Sequence, residues 1–204
     1  MRTVIWNGKL ILKDNITEEG FVEINDGIIS QISVKNPKKE ILLNADSVFD
    51  ANGKYISPGF IDIHNHGGGG YDFGIGNEDS FIIPCETHAL HGTTSLYPTI
   101  SSSTFEIMEN AIILYRKAIQ KSYKGATMRG LHFEGPYFSD AQKGAQQKKH
   151  LRIPVAKEYI KILNMTDDIR RWSSACELEG TEQFALELKK KGIITPMDIK
   201  AVIM

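Results

Sequence analysis

The chain has 204 residues, with 24 Lys and Arg against 25 Asp and Glu, a formal net charge of -1, and 41% hydrophobic residues. This is an ordinary globular composition, and the balanced charge argues against nucleic acid or an anionic membrane surface as partner. Two cysteines, Cys85 and Cys176, are too few for a disulfide framework, and the apolar start is interrupted at Asn7, Gly8 and Lys9, so it does not read as a signal peptide. No apolar run is long enough to span a bilayer, and a reducing, cytoplasmic home is the expectation.

Residues 1–55 read as short strands with turn signals and no convincing helix. Thr3 to Trp6 and Leu10 to Leu12 flank Asn7-Gly8-Lys9, a hairpin-like turn; Phe21 to Ile24 and Ile28 to Val34 flank Asn25-Asp26-Gly27, another. Val48 to Ala51 and Lys54 to Ile56 surround Asn52-Gly53. A small β module built from hairpins is predicted.

From Ser57 the texture changes to alternating strands and helices. Phe60, Ile61 and Ile63 form an apolar run of the kind buried on both faces in a parallel sheet. Glu78 to His91 is predicted as a helix stopped by Gly92, and Thr93 to Ile100 as a strand rich in β-branched and aromatic residues. Ser101 to Thr104 offer helix caps for Phe105 to Lys121, whose Phe105, Met108, Ile112 and Tyr115 share a face. Ala126 to Phe133 is the third strand, running into Glu134-Gly135-Pro136 and a polar loop from Tyr137 to about Arg152. Val155 to Leu163 is a helix, Arg171 to Cys176 a strand, and Thr181 to Lys191 a helix with Glu182 early and lysines late. Such alternation implies a parallel sheet or barrel with right-handed crossovers.

The chemistry concentrates at two strand ends. In a strand, residues i and i+2 project to one face, so His64 and His66 stand side by side, and the glycines Gly67 to Gly70 let the chain turn closely around a ligand. Paired imidazoles suit zinc, iron or nickel; the bland alternatives are a surface pair or satisfied core histidines. Glu134 lies where the third strand meets Gly-Pro, at the face where parallel barrels keep active sites. It either completes a metal site with His64 and His66, holds a separate ion, or makes only a strand-end salt bridge or helix cap.

Other polar residues have quieter readings. His88 and His91 near a helix end suit dipole and packing roles, and His132 is either a supporting donor or a buried polar residue. Asp72 either orients a histidine or caps a turn. His150 and Lys189 to Lys191 read as solvated, and both cysteines as packing residues.

Pro58-Gly59-Phe60-Ile61-Asp62-Ile63-His64-Asn65-His66-Gly67, Gly92-Thr93-Thr94, His132-Phe133-Glu134-Gly135-Pro136, Lys143-Gly144-Ala145-Gln146 and Glu177-Leu178-Glu179-Gly180 together carry a resemblance. The chain resembles the N-acetylglucosamine-6-phosphate deacetylase family of the amidohydrolase superfamily, from Met1 to about Ile194. The resemblance implies an α/β fold: a β-sandwich portion over residues 1–55, then the first half of a metal-dependent (β/α)8 TIM barrel over residues 56–194. It implies hydrolysis of the acetamide of N-acetylglucosamine 6-phosphate to glucosamine 6-phosphate and acetate. Glu134 matches the family's principal metal-binding glutamate, and His64 and His66 match a pair that binds a second ion in some members. Ala145 and Gln146 match substrate contacts. A divalent cofactor, zinc or iron, as one or two ions, and a homodimer are implied as well. A cyclic amidase of the same superfamily is the enzymatic alternative, disfavoured by the His132 to Pro136 segment. Ala175-Cys176-Glu177 stands where the family usually has Ala-Pro-Glu.

A complete barrel typically takes about 250 residues, so an incomplete barrel is expected here. The family continues into a Gly-His segment, a His-x-Thr-His segment and a catalytic aspartate, none of which this sequence contains; residues 195–204 diverge. Read two nucleotides later, the codons of Met197, Asp198 and Ile199 yield glycine and then tyrosine or histidine, which points to a change of reading frame. The reading from a different functional class is therefore a non-catalytic, truncated fragment.

Overall fold

The structure is a computed structural model that describes residues 1–195. The divergent segment expected over 195–204 lies, beyond Thr195, outside the described residues. The chain divides into two compact units, Met1–Pro58 and a second that begins at Gly59.

The first unit contains β1 (Arg2–Trp6), β2 (Lys9–Leu10), β3 (Phe21–Asn25), β4 (Ile28–Ser33), α1 (Lys39–Leu43), β5 (Ser47–Asp50) and β6 (Tyr55–Ile56). Four strands form one sheet in the order β4-β3-β1-β5, and β2 pairs with β6 in another. The β3–β4 hairpin forms as the sequence suggests, because Asp26 and Gly27 both take positive φ, +50° and +81°, the twist a two-residue turn between antiparallel strands requires.

The other two turns do not close hairpins. Asn7 and Asn52 also adopt positive φ, yet β2 leaves β1 to pair in parallel with β6, while β5 pairs in parallel with β1. Close approach decides this: a Cβ on Gly8 would stand 2.7 Å from Ile56 Cδ1 and 2.8 Å from Ala51 Cβ, so a glycine there lets β2 seat against β6. A second departure is α1, where Lys39-Glu40-Ile41-Leu42-Leu43 forms a helical turn. These are good helix formers, and Pro37 just upstream suits a helix entry better than a strand.

The second unit contains β7 (Phe60–Asn65), β8 (Gly67–Gly68), β9 (Tyr71–Asp72), α2 (Asp79–Ala89), β10 (Thr93–Ile100), α3 (Phe105–Ala118), β11 (Thr127–Met128), β12 (Leu131–Glu134), α4 (Ala156–Met165), β13 (Ile169–Ser173) and α5 (Thr181–Lys190). All pairings of its main sheet are parallel: β7 and β11 with β10, β10 with β12, and β12 with β13. Strand, helix and strand in succession are thus mixed α/β structure, as the alternation predicts.

Two expectations need correction. The third strand is broken into β11 and β12. Between its two registers with β10, Leu96 to Thr99 faces Met128 to His132, one residue more, and Gly130 absorbs the surplus at φ +130° as a bulge. The apolar run of β7 is not buried on both faces: Phe60, Ile61 and Ile63 are 68%, 70% and 46% exposed. Among the described residues β7 pairs only with β10, so it is an edge strand and its outer flank is uncovered.

The core lies between the sheet and its helices. Thr104 caps α3 by accepting from the Ile107 N–H, and the helix buries Met108, Ala111, Ile112, Leu114 and Tyr115 against the strands. Trp172 is the centre of an aromatic group. Its ring lies 5.1 Å from Phe133 and Phe184 and 5.9 Å from Tyr137, with its indole N–H donating to the Gly135 carbonyl at 2.9 Å. No helix of the described residues is long and apolar enough to cross a membrane.

Phe184 is fully buried against that group, so Phe184→Ala should lower stability by about 3–5 kcal/mol, read as a lower denaturation midpoint by circular dichroism. Burial, with a contribution from Glu86, pushes the Cys85 thiol up to about 12. Under native conditions at pH 8, mass spectrometry should therefore find iodoacetamide on the half-exposed Cys176 and none on Cys85.

Candidate metal centre

Parallel pairing carries the ends of β7, β10 and β12 to one edge of the sheet. Thr99 of β10 is in register with His132 of β12, and Pro98 with Asn65 of β7, so His64, His66 and Glu134 arrive at one level. Among the described residues, these three form the group of potential ligands whose donor atoms all lie within 4.8 Å of one another.

The distances are narrow in range. His64 Nε2 is 3.2 Å from His66 Nε2 and 3.2 Å from Glu134 Oε1, and His66 Nε2 is 3.3 Å from Glu134 Oε2. Donors at 2.0–2.1 Å from a tetrahedral ion stand roughly 3.3–3.4 Å apart. The donor set, two imidazoles and a carboxylate, thus fits a divalent metal in both chemistry and spacing.

Supporting contacts orient two of the donors. Ser101 Oγ lies 3.0 Å from His66 Nδ1, and an Nδ1–H donated to that hydroxyl leaves the Nε2 lone pair toward the cluster. The backbone N–H of His64 donates to the Asp62 carboxylate at 3.1 Å. Gln146 Nε2 donates to Glu134 Oε2 at 2.6 Å. His88 reaches the Gly67 carbonyl at 2.9 Å and fixes the turn that follows His66.

The electrostatics follow from these neighbours. The hydrogen bond with Glu134 raises the His66 pKa against its partial burial. For Glu134, burial pushes the carboxyl pKa upward, but the His66 hydrogen bond, the His64 and His66 charges and the Gln146 amide together hold it below its ordinary value.

His132 is different. It is fully buried, its Nδ1 lies 3.1 Å from Thr99 Oγ1, and its Nε2 lies 2.8 Å from Ser173 Oγ. Burial, then Arg171 and His64, push its pKa down to about 3, so the ring is neutral. Its face meets His64 edge-on at 4.9 Å. It supports the cluster from within the sheet and offers it no free nitrogen.

The remaining candidates are spread around this point. Ala145 is exposed, and Gln146 turns its amide inward, onto Glu134 and the Ser102 N–H. His91 and His150 are outside the cluster. Asp72 sits in the short β8–β9 ladder opposite Gly67 and lines a cavity of about 350 Å³ beside His66, with Thr99, Ser101, Ser103, Ile107 and Gln147. Ser103 Oγ in that cavity is buried without a hydrogen-bond partner.

Sequence reading treated Ser101 and Ser102 only as helix caps. Both serve the centre instead, and the signal available was their position directly after β10, at the strand end shared with His64 and Glu134. His132→Phe puts a slightly larger ring in the same buried place and removes the hydrogen bonds to the Thr99 and Ser173 hydroxyls. It should cost about 1–3 kcal/mol in a denaturant titration, and a neutral result would contradict the network.

No family model matches the chain. The chain is 35% identical over 150 residues to N-acetylglucosamine-6-phosphate deacetylase of Bacillus subtilis, which covers 70% of this chain and 36% of the relative. It is 28% identical over 188 residues to N-acetylgalactosamine-6-phosphate deacetylase of a Shewanella species, covering 92% of this chain and 47% of that one. The crystal structure of N-acetylglucosamine-6-phosphate deacetylase from Pasteurella multocida superposes with a TM-score of 0.84 at 28% identity, over 96% of this chain and 50% of the other. The chain thus spans between about a third and a half of the length of these relatives. Sequence and fold neighbours together identify the chain as N-acetylglucosamine-6-phosphate deacetylase-like, matching part of their length.

Proposed function

We propose that this chain carries the metal-binding half of a deacetylase acting on N-acetylated amino-sugar 6-phosphates. The observation that carries the reading is the convergence of His64, His66 and Glu134, with donor atoms 3.2–3.3 Å apart, at the ends of parallel strands. In this reading residues 1–55 are part of a β-sandwich and residues 56–194 are the opening half of a (β/α)8 barrel, whose active-site face is the one these residues occupy. Zinc or iron is the metal class the donors suit, as one or two ions.

A bound divalent metal would supply Lewis acidity, polarising the acetamide carbonyl and acidifying water. The chain's own residues prepare the place. His66 is held by Ser101, Glu134 by Gln146, and neutral His132 adds no positive charge behind His64. The cavity beside His66 offers hydroxyls from Ser101 and Ser103 and an apolar side from Ile107, a setting for a small, partly polar ligand. Ala145, which is exposed, and Gln146 are the substrate contacts this reading retains from the resemblance. A homodimer working in the cytoplasm completes the reading, and the free state of both cysteines suits a reducing compartment.

A second reading is favoured by coverage. Because the chain matches 36–50% of its relatives' lengths, the centre can bind metal without completing turnover by itself. One experiment separates the two: acetate release from N-acetylglucosamine 6-phosphate and its galactosamine epimer by the purified chain with zinc or iron, alongside equilibrium dialysis of the metal. Turnover that disappears in Glu134→Gln supports the enzyme. Metal bound in a Glu134-dependent way without turnover supports the second reading, and no metal bound at all overturns both.

A further inference from the structure

Gln146 lies on the loop that joins β12 to α4, and its amide is spent on the centre. Nε2 donates to Glu134 Oε2 at 2.6 Å, and Oε1 accepts from the Ser102 N–H at 3.1 Å. Ser102 Oγ donates in turn to the Glu134 carbonyl at 3.1 Å. Side chain and backbone of Glu134 are therefore gripped by one residue pair from two different loops.

Of the groups on the Glu134 carboxylate, the His64 and His66 nitrogens are themselves ligand candidates, and they turn to an ion when one is present. Gln146 is the partner that remains. A neutral amide fixes the orientation of a carboxylate without cancelling its charge, which is what a supporting residue behind a ligand must do.

The loop is anchored beyond Gln146 as well. Arg152 closes a fork on Glu158, with Nε at 2.9 Å from Oε2 and Nη2 at 2.5 Å from Oε1, and its Nη1 donates to the Ser103 and His150 carbonyls at 2.9 and 2.8 Å. On the other side, Lys143 Nζ donates to the Gln146 carbonyl at 3.2 Å. Between these ties the loop exposes Gly144, Ala145, Gln147, Lys148 and Lys149.

We propose that Gln146 is a positioning residue for Glu134, through which the seating of the 137–152 loop and occupancy of the metal centre are coupled. The proposal rests on the metal-centre reading above and adds a supporting role to the substrate contact that the resemblance assigns to Gln146. The coupling is reciprocal: if the seated loop tightens metal binding, bound metal must hold the loop in its seat by the same factor.

The test uses the whole chain and needs no turnover. Zinc affinity is measured by competition with a chromophoric chelator for the wild type, Gln146→Met and Glu134→Gln. The cobalt(II) visible spectrum is recorded for each, and trypsin cleavage after Lys148 and Lys149 is followed with and without zinc. Gln146→Met should loosen zinc by about 10–100-fold, alter the cobalt spectrum and abolish zinc-dependent protection of the loop. Wild-type affinity and spectrum in Gln146→Met, with binding lost in Glu134→Gln, would overturn the positioning role and leave Gln146 as a substrate contact alone. If Gln146→Met does not fold, the wild-type protein decides alone, since a loop cut equally fast with and without zinc removes the coupling. A wild type that binds no zinc sinks the metal-centre reading and this inference with it.

Discussion

Thr93–Ile100 is hydrogen-bonded to β7 on one side and to β11 and β12 on the other, so its register fixes how high each neighbouring strand reaches. Thr99 is where that register becomes chemistry. Its hydroxyl accepts from the Asn65 N–H at 3.2 Å and meets His132 Nδ1 at 3.1 Å, joining the strand of the two histidines to the strand of the glutamate. A slip of one residue on either side would turn His64, His66 or Glu134 to the opposite face of the sheet. The three donors meet because the ladder is in this register, and the bulge at Gly130 is part of setting it.

His132 shows how a buried polar residue can serve such a ladder. Each ring nitrogen faces a hydroxyl, from Thr99 on β10 and Ser173 on β13, so the imidazole spans three strands with nothing left unpaired. A buried group in that condition costs little, whereas losing one partner exposes the full desolvation penalty. Its neutrality matters equally. A cation at this depth would stand against the His64 ring, 4.9 Å away.

Much of this was legible in the sequence, for identifiable reasons. Strand β10 has its predicted bounds because Thr93 to Ile100 is a continuous β-favouring run between Gly92 and the Ser101 to Thr104 caps. The histidine pair and Glu134 were legible because period-two alternation and strand-end placement are local properties. Pairing was not. Asn7-Gly8 and Asn52-Gly53 make the turns their chemistry demands, but a turn does not say which neighbour each strand will take, and parallel partners took both. Nor does an apolar run reveal its coverage: Phe60, Ile61 and Ile63 read as doubly buried and lie at an edge. The roles of Ser101, Ser102 and Arg152 depend on loops meeting in space, and no spacing in the chain announces that.

The geometry of the cluster limits what it can be. Two imidazole nitrogens at 3.2 Å, each 3.2–3.3 Å from a carboxylate oxygen, bring three electron-rich groups together. Were all three deprotonated with nothing between them, their lone pairs would repel. A proton relieves one edge of this triangle at a time, as the raised His66 pKa reflects. A divalent cation at the centre would relieve all three at once, and two of the donors are steadied from behind, His66 by Ser101 and Glu134 by Gln146. A strand-end salt bridge would need only one histidine and no such support, so the second imidazole and the two supporting contacts are what favour the metal-centre reading over a surface ion pair.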